Sequence, residues 1–387
     1  MRTFAGYTVL ELANVLAGPS VGMFFAELGA RVIKVENVKT KGDVTRSWKV
    51  PTEKQETDIS AYFSTVNWGK ESIAIDLSKP SGQEIVHHLA RRSHFVISSY
   101  LPGQAEKLVV DAASLLNINP ELVCGEISGY GPGVQRAAYD AIIQAEAGFT
   151  AINGEPGQTF KMPVALMDVL AGHQLKEAML LAHIERLQSG KGQRVHVSLI
   201  RSGISSLVNQ ATNWLVAGHL PSPIGSGHPN IVPYGNAFTT LDGKQIVLAI
   251  GSDAQFAALA QVMGKPLPAD FRTNAQRIRL RDEVLSWVAD GAKNFAQKDF
   301  LSQLFRAKVP AGPVNKMDAV FEADFAQSTL HHSPDFKGIR QLALDLPADA
   351  QTLSPPPSFG EHSLQILQEL GFEEKQISKL KAAAVIS

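Results

Sequence analysis

Cysteine is nearly absent. Cys124 stands alone among 387 residues, so one copy of the chain can build neither an internal disulfide nor a thiolate metal cluster. Its flanks, Leu122-Val123 and Gly125-Glu126-Ile127, read as a buried strand, which assigns Cys124 to packing and not to catalysis. Neither sign of charge is in excess. Thirty-six Lys and Arg against 37 Asp and Glu leave a formal net charge of −1, which argues against nucleic acid or an anionic membrane as partner. No apolar run approaches the roughly 18 residues of a membrane span. Residues 1–10 carry no apolar signal core, so the cytoplasm is the expected compartment. The histidines, 11 in all, show no ligand spacing, and no metal is expected. Internal repeats and low-complexity tracts are missing too.

What is present is an ordinary globular balance, 44% hydrophobic and 19% charged, in a chain long enough for two domains. Short apolar runs at 8–12, 31–36, 72–77, 94–98 and 122–127 read as strands. Between them, 20–28, 81–92 and 104–116 read as helices, with Ser81 as a cap. This alternation predicts the α/β class, a parallel sheet with helices on both faces. Residues 139–190 are strongly helical, and Gly190-Lys191-Gly192 closes the run at 164–187. A strand at 194–199 and a long helix at 200–216 follow. Near Gly218 the character changes to loop chemistry. Asp242-Gly243 then signals a hairpin, the strand 245–250 follows it, and helices near 254–263, 279–290 and 297–308 complete a smaller α+β unit. A last helix lies near 362–370.

Several blocks carry more than structure. Asn14-Val15-Leu16-Ala17-Gly18-Pro19 sits at a strand-to-helix turn, where small residues and helix amides suit an anion. In order come Gly42-Asp43, Asn67-Trp68-Gly69-Lys70, Tyr100-Leu101-Pro102-Gly103 and Ser128-Gly129-Tyr130-Gly131. Tyr139-Asp140, Gly154-Glu155-Pro156 and Met167-Asp168 follow, then Gly227-His228-Pro229, Val232-Pro233-Tyr234 and Gly360-Glu361-His362. As an ordered set these resemble the class III CoA-transferases, the CaiB/BaiF type, over nearly the whole chain. The resemblance implies a Rossmann-like large domain from both chain ends (1–217 and 330–387) and a small domain at 218–329. It implies two chains interlinked as rings. The implied substrates are an acyl-CoA and a small carboxylic acid, with coenzyme A lying along the N-terminal sheet. Family CoA contacts carry over to Val15, Leu16, Ile75, Tyr100 and Lys107. Asn37 and Ser99 depart from the pattern, standing where relatives have arginine and asparagine.

The resemblance also implies nucleophilic chemistry. A carboxylate attacks the thioester, and the acyl group and CoA pass through an anhydride and an enzyme thioester. Gly157 holds the position expected for that aspartate, after Gly154-Glu155-Pro156. The candidate acids are therefore Glu155, Asp140 and Asp168. Asp140 has a competing role as cap of a helix starting at Ala141, and Asp168 a competing role as a paired structural carboxylate. Three readings stay open. The chain transfers CoA by itself, with an acceptor such as succinate. Or it is the non-catalytic half of a heteromer with an aspartate-bearing paralogue. Or it resembles the 2-methylacyl-CoA racemases, which need a histidine where Tyr139 stands. A tyrosine with an ordinary pKa near ~10 is a poor base at neutral pH. His228 and Tyr234 are candidate substrate contacts in the small domain.

Overall fold

Six strands rich in β-branched residues are β1 (Thr8–Leu12), β2 (Arg31–Asn37), β3 (Lys70–Ile75), β4 (Phe95–Ser98), β5 (Val123–Ser128) and β6 (Gln193–Ser198). They form one sheet in the order β3-β2-β1-β4-β5-β6, parallel throughout. The expected α/β class with a parallel sheet is what the computed structural model has over its described residues, 2–344 and 352–387. Residues 345–351 of the expected 330–387 segment lie outside them. The strand order reverses between β1 and β4, and doubly wound sheets take ligands at that crevice.

Three helices shape the crevice: α1 (Ala17–Glu27), α2 (Asp140–Glu146) and α3 (Leu166–Ser189). Every residue of α1 is buried. Glycine makes this possible. A Cβ on Gly18 would lie 2.5 Å from the Ala13 Cβ, and one on Gly172 of α3 would lie 2.6 Å from the Ser20 Oγ. On the sheet, Leu10, Ile33, Ile73, Val96 and Cys124 belong to one apolar cluster with Ile366 and Leu367. Cys124 is a packing residue there, its thiol pushed up to about 12, chiefly by burial.

The same sheet buries charge. Glu11, Lys34 and Lys70 sit on three adjacent strands with no side-chain exposure. Glu11 reaches the Lys34 Nζ at 3.1 Å and the Lys70 Nζ at 2.7 Å, and Lys34 reaches Asp43 at 3.0 Å. Burial alone would lower the Lys34 ammonium, but Asp43, Glu11 and Glu36 outweigh it and hold it above its ordinary value. Lys70 has less compensation, and burial brings it down to about 8. Burial pushes Asp43 up, yet Lys34 and the Thr45 donors leave it net below the usual carboxylate range.

Late residues complete the β3 side. Ala74 N donates to the Ser363 Oγ (3.1 Å), Asp76 N donates to the Val385 carbonyl (2.7 Å), and Ile386 bridges Ile75.

The chain divides into two compact units. One holds 1–147, 163–207 and 325–387, and the other holds 148–162 and 208–324. Within the second, Ala311–Pro313, Gln245–Ala249 and Tyr234–Thr239 form an antiparallel sheet. Its core includes Phe256, Leu259, Val284, Val288 and Phe300. This division differs from the boundary expected after 217. The helix expected at 200–216 is broken into Leu199–Ser205 and Val208–Ala217, because Val208, the first residue of the second, adopts φ 40°. The helix expected at 104–116 is also two, Gln104–Lys107 and Ala112–Ile118, with Val109 at φ 56° between them. Ser81 is not a cap: the helix Pro80–Arg91 has Pro80 in its first turn and Lys79 before it.

Removing Glu11 would leave two ammonium groups buried side by side. Glu11→Ala is expected to cost about 3–5 kcal/mol in urea denaturation. Adding Lys70→Met should recover part of that, since Lys34 keeps Asp43. The sign with pH follows from the direction of each shift. The Asp43 contribution is present above the ordinary carboxylate range and is lost as pH falls through its depressed value. Lys70 slopes the same way: its buried charge costs stability below about 8, and that cost is relieved as pH rises from there towards the ordinary lysine value. A Glu11→Ala variant as stable as the parent would contradict this reading.

Candidate active site

The turn after β1 carries unusual backbone. Val15 has φ 71°, a region that β-branched residues avoid. Its N–H donates to both oxygens of Asp43, at 3.3 and 3.1 Å. Asp43 is itself held by Lys34 (3.0 Å), by Thr45 N (3.1 Å) and by the Thr45 hydroxyl (2.9 Å). The buried charges thus fix the turn that leads into α1, whose first-turn amides, at Ala17 and Gly18, lack helical partners.

That turn lines a cavity of about 510 Å³ whose wall includes residues 14–18, 75–78, 99–101, 127–129 and 138–140. Four of the five expected CoA contacts are in its wall: Val15, Leu16, Ile75 and Tyr100. The Tyr100 phenol is pushed up to about 12 by burial. Lys107 is not in the wall and stands exposed on Gln104–Lys107. The cation in the wall is Lys39, whose Nζ donates to the Ser78 Oγ at 2.6 Å and pairs with Asp76 at 3.2 Å. Sequence reasoning missed it. The available signal was Asn37, two residues earlier, which accepts from Lys39 N at 2.9 Å. Asn37 and Ser99, the two departures from the family pattern, both line the cavity. Ser99 accepts from Asn14 N at 3.2 Å.

Two carboxylates share this wall. Asp140 does not cap a helix starting at Ala141. It is itself the first residue of α2, and its Oδ1 accepts from Met167 N (2.8 Å) at the start of α3. Its Oδ2 accepts from Gln144 Nε2 at 2.6 Å. Asp168, one residue after Met167, is half-buried, and its carboxyl is pushed up to about 7, first by burial and then by the charge of Asp140. Tyr62 adds a phenol raised by burial, then by Asp168, Asp140 and Asp43. It too escaped the sequence reading, because its neighbours are distant in the chain. An acid poised near neutrality in a cavity is a candidate nucleophile or base.

The other candidates lie in the second unit. Glu155 is exposed on the hairpin of Gly154–Glu155 and Gln158–Thr159. Its carboxylate oxygens lie 3.2 Å from where a Gly225 Cβ would stand, and Gly225 N donates to the Gly154 carbonyl at 2.7 Å. Gly157 is at the hairpin tip with φ 83° and open space around it. Pro156 followed by a positive-φ glycine is what a type II turn needs, which gives Gly157 a backbone role of its own. The His228 and Tyr234 rings pack together, 5.3 Å apart at 66°. Among the described residues no cluster of three or more potential ligands for a metal is found, and no helix is long and apolar enough to cross a membrane.

The sequence pattern of CoA-transferase family III matches residues 4–363. The chain is 35% identical over 394 residues to the succinate–glutarate CoA-transferase of Agrobacterium fabrum, covering 95% of both proteins. It is 32% identical over 401 residues to the succinyl-CoA:glutarate CoA-transferase of Mus musculus, covering 100% of this chain and 91% of that one. Among solved structures, a CAIB/BAIF family protein from Brucella suis superposes with a TM-score of 0.82 at 34% identity, covering 95% of this chain and 98% of that chain.

Asp140→Asn keeps an oxygen for Met167 N and removes the neighbouring charge. The Asp168 carboxyl is then expected to titrate below 7 but above the ordinary range, since burial, the larger cause, is retained. Carbon-13 NMR of labelled aspartate measures it. An unchanged midpoint would show that the two acids are not coupled.

Proposed function

The chain belongs to CoA-transferase family III, and from that premise we propose that it moves CoA from an acyl-CoA donor to a free dicarboxylic acid such as succinate, with Asp168 as the nucleophile. The observation that carries this reading is the position and the proton affinity of Asp168. It lines the cavity with four of the residues proposed to hold CoA, and as an anion it is stabilised so little that its pKa rises to about 7. A carboxylate held this way is a better nucleophile than one tied down by donors, as Asp140 is.

On this reading Asp168 attacks the thioester carbonyl. A C–O bond forms, the C–S bond breaks, and CoA leaves as a thiolate from an acyl–aspartyl anhydride. The thiolate attacks the aspartyl carbonyl, releasing the donor acid and leaving Asp168 as a CoA thioester. The acceptor carboxylate attacks that thioester, the thiolate returns to the new acyl group, and the Asp168 carboxylate is regenerated. No net proton is consumed. The amides of Ala17 and Gly18 at the start of α1 are candidates for the developing oxyanion. Lys39, rather than Lys107, is the proposed cation for a CoA phosphate. The isomerase reading gains no support, because no histidine is among the described residues lining the cavity. With Asp168 in place, no aspartate from a paralogue is required. The proposed assembly is a homodimer, supported by the exposed apolar stripe of Leu181, Ile184 and Leu187 along α3.

Incubation with acyl-CoA followed by hydroxylamine is expected to mark the peptide containing Asp168, and Asp168→Ala should lower kcat by at least about 10³-fold. Since the free acid has its pKa raised to about 7, kcat/KM for the donor should rise with pH and level off above that value. A mark on Glu155 or Asp140, or a transferase that survives Asp168→Ala, would overturn the assignment.

A further inference from the structure

Ser128 ends β5 with a hydroxyl engaged on two sides. Its Oγ accepts from Gly131 N at 3.0 Å and stands 3.0 Å from His196 Nε2 on β6. With one hydrogen already received from Gly131, the hydroxyl hydrogen has Nε2 as its acceptor, which puts the ring proton on Nδ1. Strand register builds the pair. Glu126 lies opposite His196, and Ser128 lies opposite Ser198. Side chains two apart on a strand share a face, so these four emerge on one side of the β5–β6 pair. Glu126 is fixed beside the ring by Arg194, whose Nη2 and Nε reach its Oε2 at 2.6 and 2.8 Å.

This pair differs from an ordinary cross-strand bridge in three ways. Ser128 lines the cavity that holds Asp168, and it also lines a second cavity, of about 410 Å³, together with His196, Glu126 and Arg194. The turn after it packs close to the acids: a Cβ on Gly129 would lie 2.2 Å from the Ala138 Cβ, two residues before Asp140. His196 is kept neutral at pH 7 and available as a base. Burial lowers its pKa most, Glu126 opposes that, and Arg194 and Arg201 lower it further. Finally, the Ser198 hydroxyl opposite Ser128 is buried with no hydrogen-bond partner. Negative charge developing on Ser128 has an unspent donor across the strand pair.

We propose that Ser128 and His196 form a second reactive centre, an acyl-CoA hydrolase, which opens on the cavity of Asp168 and takes its water from the second cavity. Ser128 Oγ attacks the thioester carbonyl while His196 Nε2 takes the hydroxyl proton. A C–O bond forms, the C–S bond breaks, and the proton passes from the imidazolium to the CoA thiolate. Water then attacks the acyl-serine ester and gives a proton to Nε2. The ester C–O bond breaks, the acid leaves, and Ser128 regains its proton from His196. The net reaction consumes one water and releases the acid, free CoA and, at neutral pH, one proton. The thioester as substrate rests on the acyl-CoA placement proposed above, whereas the serine–histidine pair stands without it. When no acceptor acid is present, this centre would drain the donor.

The test uses the full chain with succinyl-CoA and no acceptor acid, following thiol release with a chromogenic disulfide. Asp168→Ala is expected to keep this hydrolysis while losing transfer to glutarate. His196→Gln, which keeps an amide within reach of the Ser128 oxygen but supplies no base, should lower hydrolysis about 100-fold or more, in the parent and in Asp168→Ala alike. In Asp168→Ala, hydrolysis should fall with pH through a midpoint below the ordinary histidine value, set by His196, and show no limb at the Asp168 value of about 7. A fluorophosphonate should label Ser128 in the parent, which needs no variant to fold, and should fail to label His196→Gln of unchanged melting temperature. Hydrolysis that vanishes with Asp168→Ala, or that survives both Ser128→Ala and His196→Gln, would overturn the proposal, and so would a parent whose Ser128 resists the label. A labelled parent that hydrolyses no succinyl-CoA would overturn the hydrolase through the acyl-CoA placement. A parent that hydrolyses succinyl-CoA through Ser128 but exchanges no CoA would overturn the transferase reading and leave the hydrolase standing.

Discussion

The buried ladder Asp43–Lys34–Glu11–Lys70 is the constraint on which the rest of the first unit depends. Glu11 lies opposite Lys34 in the β1–β2 register, so the ladder exists only if the strands pair as they do. A slip of one residue would turn Lys34 to the other face of the sheet and leave Glu11 and Asp43 without it. An apolar set of similar volume could pack as stably, but it would offer nothing to Val15 N. Through Asp43 the ladder reaches out of the sheet and holds a backbone conformation that Val15 would not adopt unaided. The cavity wall is shaped by electrostatics two layers beneath it.

The two cavity acids show how environment assigns roles to identical side chains. Asp140 has two donors, and the price of burying it is met by the start of α3 and by Gln144. With no such donors among the described residues, Asp168 keeps its proton to near neutrality. The first acid also raises the second. Asp140 is thus a structural cap, as half expected, but for a helix that begins 26 residues later than the one whose start it occupies. Chain adjacency suggested the nearer helix, and tertiary packing selected the farther one.

Most of the parallel sheet was legible, because buried strands such as Arg31–Asn37 and Val123–Ser128 are short apolar runs bounded by turns. What failed was continuity. The helices at 104–116 and 200–216 keep their apolar period across Val109 and Val208, and periodicity cannot reveal a single residue driven to positive φ. The start of α1 was placed three residues late because Gly18-Pro19 reads as a turn. It is in fact the point of closest approach to Ala13. Val15, Leu16, Ile75 and Tyr100, singled out through family blocks, all line the cavity. Lys39 lines it too and was not legible, since its place depends on where the turn 37–40 folds. Gly157 drew attention as a lost acid, whereas its φ is that of a hairpin tip. The partners of Lys34 and Lys70 were beyond reach, for nothing local announces that a lysine in a strand is buried and paired.

One wall of the cavity has a history built into it. Ile75 and Asp76 line it, yet they are held by Ile386 and Val385, and Lys79 close by reaches Ala384 across 305 residues of sequence. Synthesis runs from the N-terminus, so β1, β2 and β3 are made long before the segment that braces their edge. A growing chain would have the sheet, the strained turn and both acids while this cavity wall was still unbraced. The cavity is therefore finished only in late synthesis, and a ribosome-bound chain stopped short of residue 385 would carry both acids beside an unbraced wall.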